Sequence, residues 1–159
     1  MGAFERIPRE VDATLVLVGD GPLRPKLIKR ATKDARIHVL PFESDRRRLA
    51  TLLASSDVYV SAMPFETFGL SVIEAQACGL PVVGVCGGAM RDRVPGEAGV
   101  GILGPVDDVE TLSRNMLNLA RNPHRREAGR RARELVETEF SWSRTFQRMC
   151  ALYDEILQP

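Results

Sequence analysis

The chain is poor in the residues that several common chemistries depend on. It has two histidines, His38 and His124, and three cysteines, Cys78, Cys86 and Cys150. None of them shows the spacing of a zinc site, a thioredoxin-like motif or a disulfide framework. No metal or other cofactor is therefore expected, and the thiols are expected to be reduced in a cytoplasmic setting. No apolar run approaches the roughly 20 residues that cross a bilayer. The first residues, Met1-Gly2-Ala3-Phe4-Glu5-Arg6, lack the apolar core of a secretion signal. An excess of either charge is missing too. Twenty-two basic against 21 acidic side chains leave a net charge of +1, which argues against nucleic acid as a partner. There is no Gly-x-Ser-x-Gly elbow of a hydrolase. Gly19-x-Gly21 is followed by Arg24 where a dinucleotide fingerprint has its third glycine, and no acidic residue ends the next strand, so an oxidoreductase is disfavoured.

What is present fits one soluble domain. The 159 residues, 44% hydrophobic and 27% charged, suffice for a single core over residues 1–159. Strand and helix patterns alternate. Thr14-Leu15-Val16-Leu17-Val18 is an almost continuous apolar run, expected to be a strand buried on both faces. Further strands are predicted at Ile37–Leu40, Asp57–Val60 and Pro81–Val85, with a short edge strand at Val100–Leu103. Between them, Leu23, Leu27, Ile28 and Ala31 recur at helical spacing, and Asp45 precedes a second helical stretch as a cap. A third helix is predicted from about Gly69 to Cys78, ended by Gly79 and Pro81. Asp107 or Asp108 caps a fourth, and two more helices close the chain at about 124–139 and 141–157. This rhythm predicts an α/β fold with a Rossmann-like, doubly wound parallel sheet, whose ligands sit at the carboxyl ends of the strands.

The segment richest in chemistry runs from Met63 to Glu74. Glu66 precedes the third helix and Glu74 lies about one turn inside it, with free N–H groups suited to a phosphate between them. Leu70, Val72, Ile73, Ala75, Ala77 and Cys78 make the helix apolar almost all round, so it is expected to be largely buried. A carboxylate there needs donors. The two hydroxyls of a ribose, an arginine or solvent would each serve Glu74. Glu66 would point toward sugar hydroxyls, or simply interact with the helix start. Thr67 is the expected N-cap, and Gly69 lets a ligand approach the backbone.

Glu66-Thr67-Phe68-Gly69-Leu70 through Glu74-Ala75-Gln76-Ala77-Cys78-Gly79-Leu80-Pro81-Val82-Val83 resembles the signature of the family 4 retaining glycosyltransferases. The likeness extends to Val18-Gly19-Asp20-Gly21-Pro22-Leu23, Ala54-Ser55-Ser56-Asp57-Val58, Gly87-Gly88 and Phe140-Ser141-Trp142, and so covers nearly the whole chain. Those enzymes are of GT-B type, with two Rossmann-like domains facing across a cleft. The resemblance implies that Glu66 holds hydroxyls of a donor sugar. Phe68, Gly69 and Leu70 would offer N–H groups to sugar and phosphate, and Glu74 would bind the ribose. Leu40, Pro41 and Phe42 align with the segment laid against the nucleobase, where Pro41 replaces a common glycine; a packed hydrophobic turn is the alternative. Gly87-Gly88 would line the cleft, although Met90 and Arg91 stand where the family often has a proline and a glutamate.

The resemblance also implies what is missing. Ala3–Pro8 matches the end of a helix, so the domain's first strand and the two cations that clasp the diphosphate lie outside the chain, as does the N-terminal acceptor domain. A helix N-terminus supplies at most about 2 kcal/mol to an anion, whereas enzymes lower barriers by about 8 kcal/mol or more. The expectation is the donor half of a retaining hexosyltransferase, specific for GDP-mannose or a UDP-hexose and acting on a glycan or glycolipid. It would have no complete catalytic set and be inactive by itself. Strands Thr14–Val18 and Asp57–Val60 would lose a shared neighbour, and are expected to pair directly or to borrow a strand from a second copy. The alternative function is a non-catalytic nucleotide-binding or interaction module. Arg121, Arg125, Arg126, Arg130, Arg131 and Arg133 invite an acidic membrane, but Glu127, Glu134, Glu137 and Glu139 interleave with them, which favours a salt-bridged face and only weak peripheral membrane contact. Trp142, Phe146, Met149 and Tyr153 are expected to pack in the core.

Overall fold

The structure is a computed structural model that describes residues 1–157. After a 3₁₀ turn at Phe4–Arg6, strands β1 (Leu15–Val18), β2 (Ile37–Leu40), β3 (Tyr59–Ser61), β4 (Val82–Val85) and β5 (Gly101–Gly104) alternate with helices. Helix α1 spans Arg24–Ala31, α2 Arg46–Ala54, α3 Leu70–Ala77 and the short α4 Met90–Arg93. Helices α5 (Val109–Arg121), α6 (Arg125–Glu139) and α7 (Trp142–Leu157) complete the order. Local chemistry sets several boundaries. The Asp45 carboxylate accepts from the N–H groups of Arg47 and Arg48 at the start of α2, and Asp108, rather than Asp107, caps α5 through Thr111 N–H.

All strand pairs are parallel, but there are two sheets rather than one. β1 pairs with β2, Leu15 opposite Ile37 through Val18 opposite Leu40. Strand β4 lies between β3 and β5, and its four residues are all buried. No ladder joins β1 to β3, so the expected direct pairing does not form. Leu15 N–H and Gly19 N–H bond to the β2 side. In a parallel ladder alternate residues point to opposite edges, so Val16 and Val18 turn their backbone groups to the open one. β1 is correspondingly not buried on both faces: Val16 and Val18 are 37% and 39% exposed.

A shared core holds the two sheets together instead. Phe4 and Ile7 of the N-terminal segment join Ile37 of β2, Val83 and Val85 of β4, and Leu112, Met116 and Leu119 of α5 in one buried cluster. Leu15 of β1 and Val60 of β3 pack against it from either side of the gap. Arg36 fastens the segment by donating to the carbonyls of Ile7 and Pro8 while its guanidinium lies 5.0 Å from the centre of the Phe4 ring. A second cluster, including Val72, Val82, Met90 and Ala132, packs α3 and α6 against the larger sheet.

Helix α7 departs from expectation. None of its residues is buried, and Trp142, Phe146, Met149 and Tyr153 are 78%, 53%, 40% and 54% exposed instead of forming core. The basic face of α6 is salt-bridged as anticipated, with Arg130 between Glu127 and Glu134 and Arg133 on Glu137. Among the described residues no helix is long and apolar enough to cross a membrane.

Candidate functional site

Because β3 and β4 are parallel neighbours, the loops that follow them leave from the same sheet edge. The loop after β3 carries Glu66 and leads into α3; the loop after β4 carries Gly87-Gly88. The two loops touch backbone to backbone. A Cβ on Gly87 would lie 2.0 Å from the Pro64 carbonyl oxygen, and one on Gly88, whose φ is +53°, would lie 2.0 Å from the Glu66 carbonyl oxygen. Ala89 N–H donates to that same Glu66 oxygen at 2.8 Å. The glycine pair thus supports the Glu66 loop from beneath.

Glu66 folds back on the helix start, its Oε1 accepting from Gly69 N–H at 2.9 Å. One of the three N–H groups assigned to a ligand from sequence is therefore engaged within the chain. Thr67 is not the N-cap. Gly69 holds that position at φ 80° and ψ 39°, a left-handed conformation suited to glycine, with no side-chain cap. The first-turn N–H groups of Leu70, Ser71 and Val72 have no carbonyl one turn back to bond, which leaves a positive helix end beside an exposed Phe68 and Leu70. The helix is also less enclosed than its composition implies, since Leu70 is 66% exposed while Val72, Ala75 and Gln76 are buried.

Arg93 clamps this loop and was not singled out from sequence. It is 7% exposed, and its Nε donates to the Phe68 carbonyl at 2.6 Å. Its guanidinium lies between two rings, 4.5 Å from the centre of Phe68 and 4.4 Å from that of Phe140. Its own carbonyl accepts from the buried Gln76 side chain at 2.6 Å. Among the described residues no carboxylate pairs with it, so the aromatic faces and one carbonyl hold the charge. No periodicity in a four-residue helix signals such a role.

Glu74 lies on α3 and is half-buried, and its Oε1 accepts from Arg46 Nη1 at 2.6 Å. Arg46, the first residue of α2, also escaped the sequence reading. The arginine alternative for Glu74 is thus realised. The Leu40–Phe42 segment is anchored by Phe42 N–H donating to Asp20 Oδ2 at 2.8 Å, which ties the loop after β2 to the one after β1. Leu40 and Pro41 line an open cleft of about 250 Å³ with Val18, Glu43, Arg48 and Leu52. The Phe42 side chain lies outside it, 69% exposed. Burial pushes the Cys78 thiol up from the ordinary range.

Residues 1–122 match the family model described as "Glycosyl transferases group 1". The chain belongs to that family. A GDP-mannose-dependent alpha-(1-6)-phosphatidylinositol dimannoside mannosyltransferase of Mycobacterium tuberculosis is 36% identical over 141 residues, 89% of this chain and 35% of that protein. The chain therefore spans about a third of this relative's length. Among solved structures, sucrose-phosphate synthase from Thermosynechococcus elongatus superposes with a TM-score of 0.80 at 28% identity, covering 97% of this chain and 40% of that one. Anabaena HepE in complex with UDP-glucose matches in fold with a TM-score of 0.78 at 23% identity, over 96% of this chain and 43% of that one.

In this group 1 glycosyl transferase domain the fold is that of the C-terminal, Rossmann-like half of GT-B enzymes. Its carboxyl-edge loops bring Glu66, Phe68, Gly69 and Leu70 together with Gly87-Gly88. Glu74 and its Arg46 partner connect that group to α2, next to the Leu40–Phe42 segment.

Proposed function

We propose that the chain is the nucleotide-diphospho-sugar-binding domain of a retaining hexosyltransferase. The observation that carries this reading is the α3 start. Its first-turn N–H groups carry no side-chain cap, Glu66 precedes them and Glu74 follows, and a neighbouring loop buttresses the Glu66 segment through backbone contact. The diphosphate would lie on the Leu70–Val72 N–H groups. Glu66 would turn its second oxygen to hydroxyls of the sugar, and Glu74 would hold the ribose.

The base would enter the cleft over Val18, Leu40, Pro41 and Leu52. Within its lining Glu43 would offer a carboxylate acceptor and Arg48 a cationic donor, the complement of guanine's N1–H and N2–H₂ donors and its O6 acceptor. GDP is accordingly the preferred nucleotide, in keeping with the GDP-mannose named for the mycobacterial relative. In the complete transferase an acceptor domain would bring a glycan or glycolipid hydroxyl to the same face of the anomeric carbon that the diphosphate leaves. No metal is invoked, and the work would take place on the cytoplasmic side.

By itself the chain is expected to bind but not to transfer. The helix terminus contributes at most about 2 kcal/mol, against the roughly 8 kcal/mol or more that catalysis requires. The gap between β1 and β3 would be filled in the complete protein by the strand the family places first, or by one lent from a second copy.

Titration of the chain with GDP, UDP and ADP, followed by amide chemical shifts, tests the reading. GDP should bind most tightly and shift Leu70–Val72, and Glu74→Ala should weaken it about tenfold or more, the worth of a hydrogen bond to a charged group. Absence of binding by all three, or binding that Glu74→Ala leaves unchanged, would overturn it.

A further inference from the structure

On the nucleotide reading above, we propose that Arg46 is a positioning residue for the ribose subsite. Its guanidinium holds the Glu74 carboxylate by one oxygen, so that the other meets the ribose hydroxyls in a fixed orientation.

The backbone beneath Arg46 is pinned. Glu43 Oε1 accepts from Asp45 N–H at 2.8 Å, and Asp45 Oδ1 accepts from Arg47 N–H at 2.8 Å and Arg48 N–H at 3.3 Å. From this turn the side chain crosses to α3 and meets Glu74 Oε1 at 2.6 Å. The bridge spans the two halves of the divided sheet, because α2 follows β2 of the small sheet and α3 follows β3 of the large one. It therefore links the element beside the base cleft to the helix that follows the diphosphate loop.

The pair contributes little to the fold. The Arg46 and Glu74 side chains are 84% and 38% exposed, and an ion pair so wet is screened and pays side-chain entropy for its geometry. What it does fix is direction. A lone glutamate on a helix samples several rotamers, whereas one tethered through Oε1 presents Oε2 on one side only. A ribose hydroxyl donating to that oxygen makes a charge-assisted bond without first having to order the carboxylate. The opposite arrangement, in which Arg46 blocks Glu74 and leaves when nucleotide binds, predicts the reverse effect of removing it.

The test compares GDP with 2′,3′-dideoxy-GDP, titrated into the full chain and into its Arg46→Ala, Arg46→Gln and Arg46→Lys variants by amide chemical shifts. The wild type should prefer GDP by roughly tenfold, the order of one hydrogen bond to a charged group. Arg46→Ala and Arg46→Gln should reduce that ratio to about twofold or less, and Arg46→Lys should restore part of it, in keeping with the loss of the planar fork. Glu74→Ala should abolish the ratio, and adding Arg46→Ala to it should change nothing further. An undiminished ratio in Arg46→Ala, even with both ligands weakened equally, would overturn the proposal, as would tighter GDP binding. A wild type that binds neither ligand would instead sink the nucleotide reading, and Arg46's role with it. A wild type that binds both equally would refute the ribose subsite alone.

Discussion

Replacing Arg93 probes how the Glu66–Leu70 loop is held, and the structure allows the cost to be worked out. Arg93→Ala removes the bond from Nε to the Phe68 carbonyl, 2.6 Å long, and hydrogen bonds from charged donors contribute about 1.5–3 kcal/mol. It also removes the cation from between Phe68 and Phe140, each such contact being worth about 0.5–2 kcal/mol. These contributions share one group and do not add in full. Against them stands the cost of burying a guanidinium without a carboxylate, which the substitution relieves. The balance, with the cavity included, is a loss of about 2–4 kcal/mol. Arg93→Met fills most of the space but still strands the Phe68 carbonyl, so about 1–2 kcal/mol should be lost. Urea unfolding followed by circular dichroism measures both. With a slope of about 2 kcal/mol/M, the alanine midpoint should fall by about 1–2 M and the methionine midpoint by about half that, at unchanged slope. A methionine variant more stable than the parent would refute the reasoning, because the buried charge would then be a net burden rather than a clamp. So would an alanine loss below about 1 kcal/mol.

The glycine buttress and the N-terminal ion pair give two further expectations. Gly88→Ala places a side chain at φ +53° with its Cβ 2.0 Å from the Glu66 carbonyl oxygen, so it should cost about 2 kcal/mol or more and shift the Glu66–Leu70 amides. Gly96→Ala, where the added carbon meets nothing within 4 Å, should be close to neutral in the same urea unfolding. Hydrogen bonds from the Arg36 side chain and backbone hold the Asp34 carboxyl down at about 2, from an ordinary 3.8. A depressed carboxyl favours the folded state above its unfolded value. The stability gap between wild type and Asp34→Asn should thus be full above pH 3.8 and vanish as the pH falls through about 2. Carboxyl carbon shifts should show Arg36→Ala returning Asp34 toward 3.8, and a gap that does not change with pH would contradict the assignment.

The parts of the site that could be read from sequence are those set within a few residues. Asp45 before α2 and the Gly79–Pro81 stop after α3 rest on local backbone chemistry, and the structure reproduces both. The α3 cap shows the limit of that reasoning. Thr67 has the right chemistry, but Glu66 reaches the Gly69 N–H first and Gly69 enters the helix in a left-handed conformation that needs no hydroxyl. Arg46 and Arg93 could not be found in this way. Their partners, Glu74 and Phe68, lie 28 and 25 positions away, and only the folding of α2 and α4 onto the α3 region brings them close. A carboxylate on an apolar helix announces that it needs a donor. It does not say whether the donor is a ligand or a distant arginine, and here the arginine is in place.

The places where apolar patterning and burial disagree carry information of their own. Thr14–Val18 is written as a strand enclosed on both faces and both edges, yet Val16 and Val18 are more than a third exposed and turn their backbone groups to an open edge. On α7, Trp142 and Phe146 stack at 5.8 Å and continue as a stripe through Met149 and Tyr153, left exposed by the described residues. An isolated exposed apolar residue is unremarkable, but a run at strand or helix period is not, because the repeat only lowers the free energy when a surface covers it. The core beneath β1 and β3 is complete, since Leu15 and Val60 pack on the same buried cluster. Apolar side chains are also exposed in the loops and at the α3 start, at Phe42, Phe65 and Leu70, but singly rather than at a strand or helix period. The Glu66–Leu70 loop and α3 are held by contacts such as Arg93 and Arg46 that are internal to the chain, and that is why those contacts can be tested in this domain by itself.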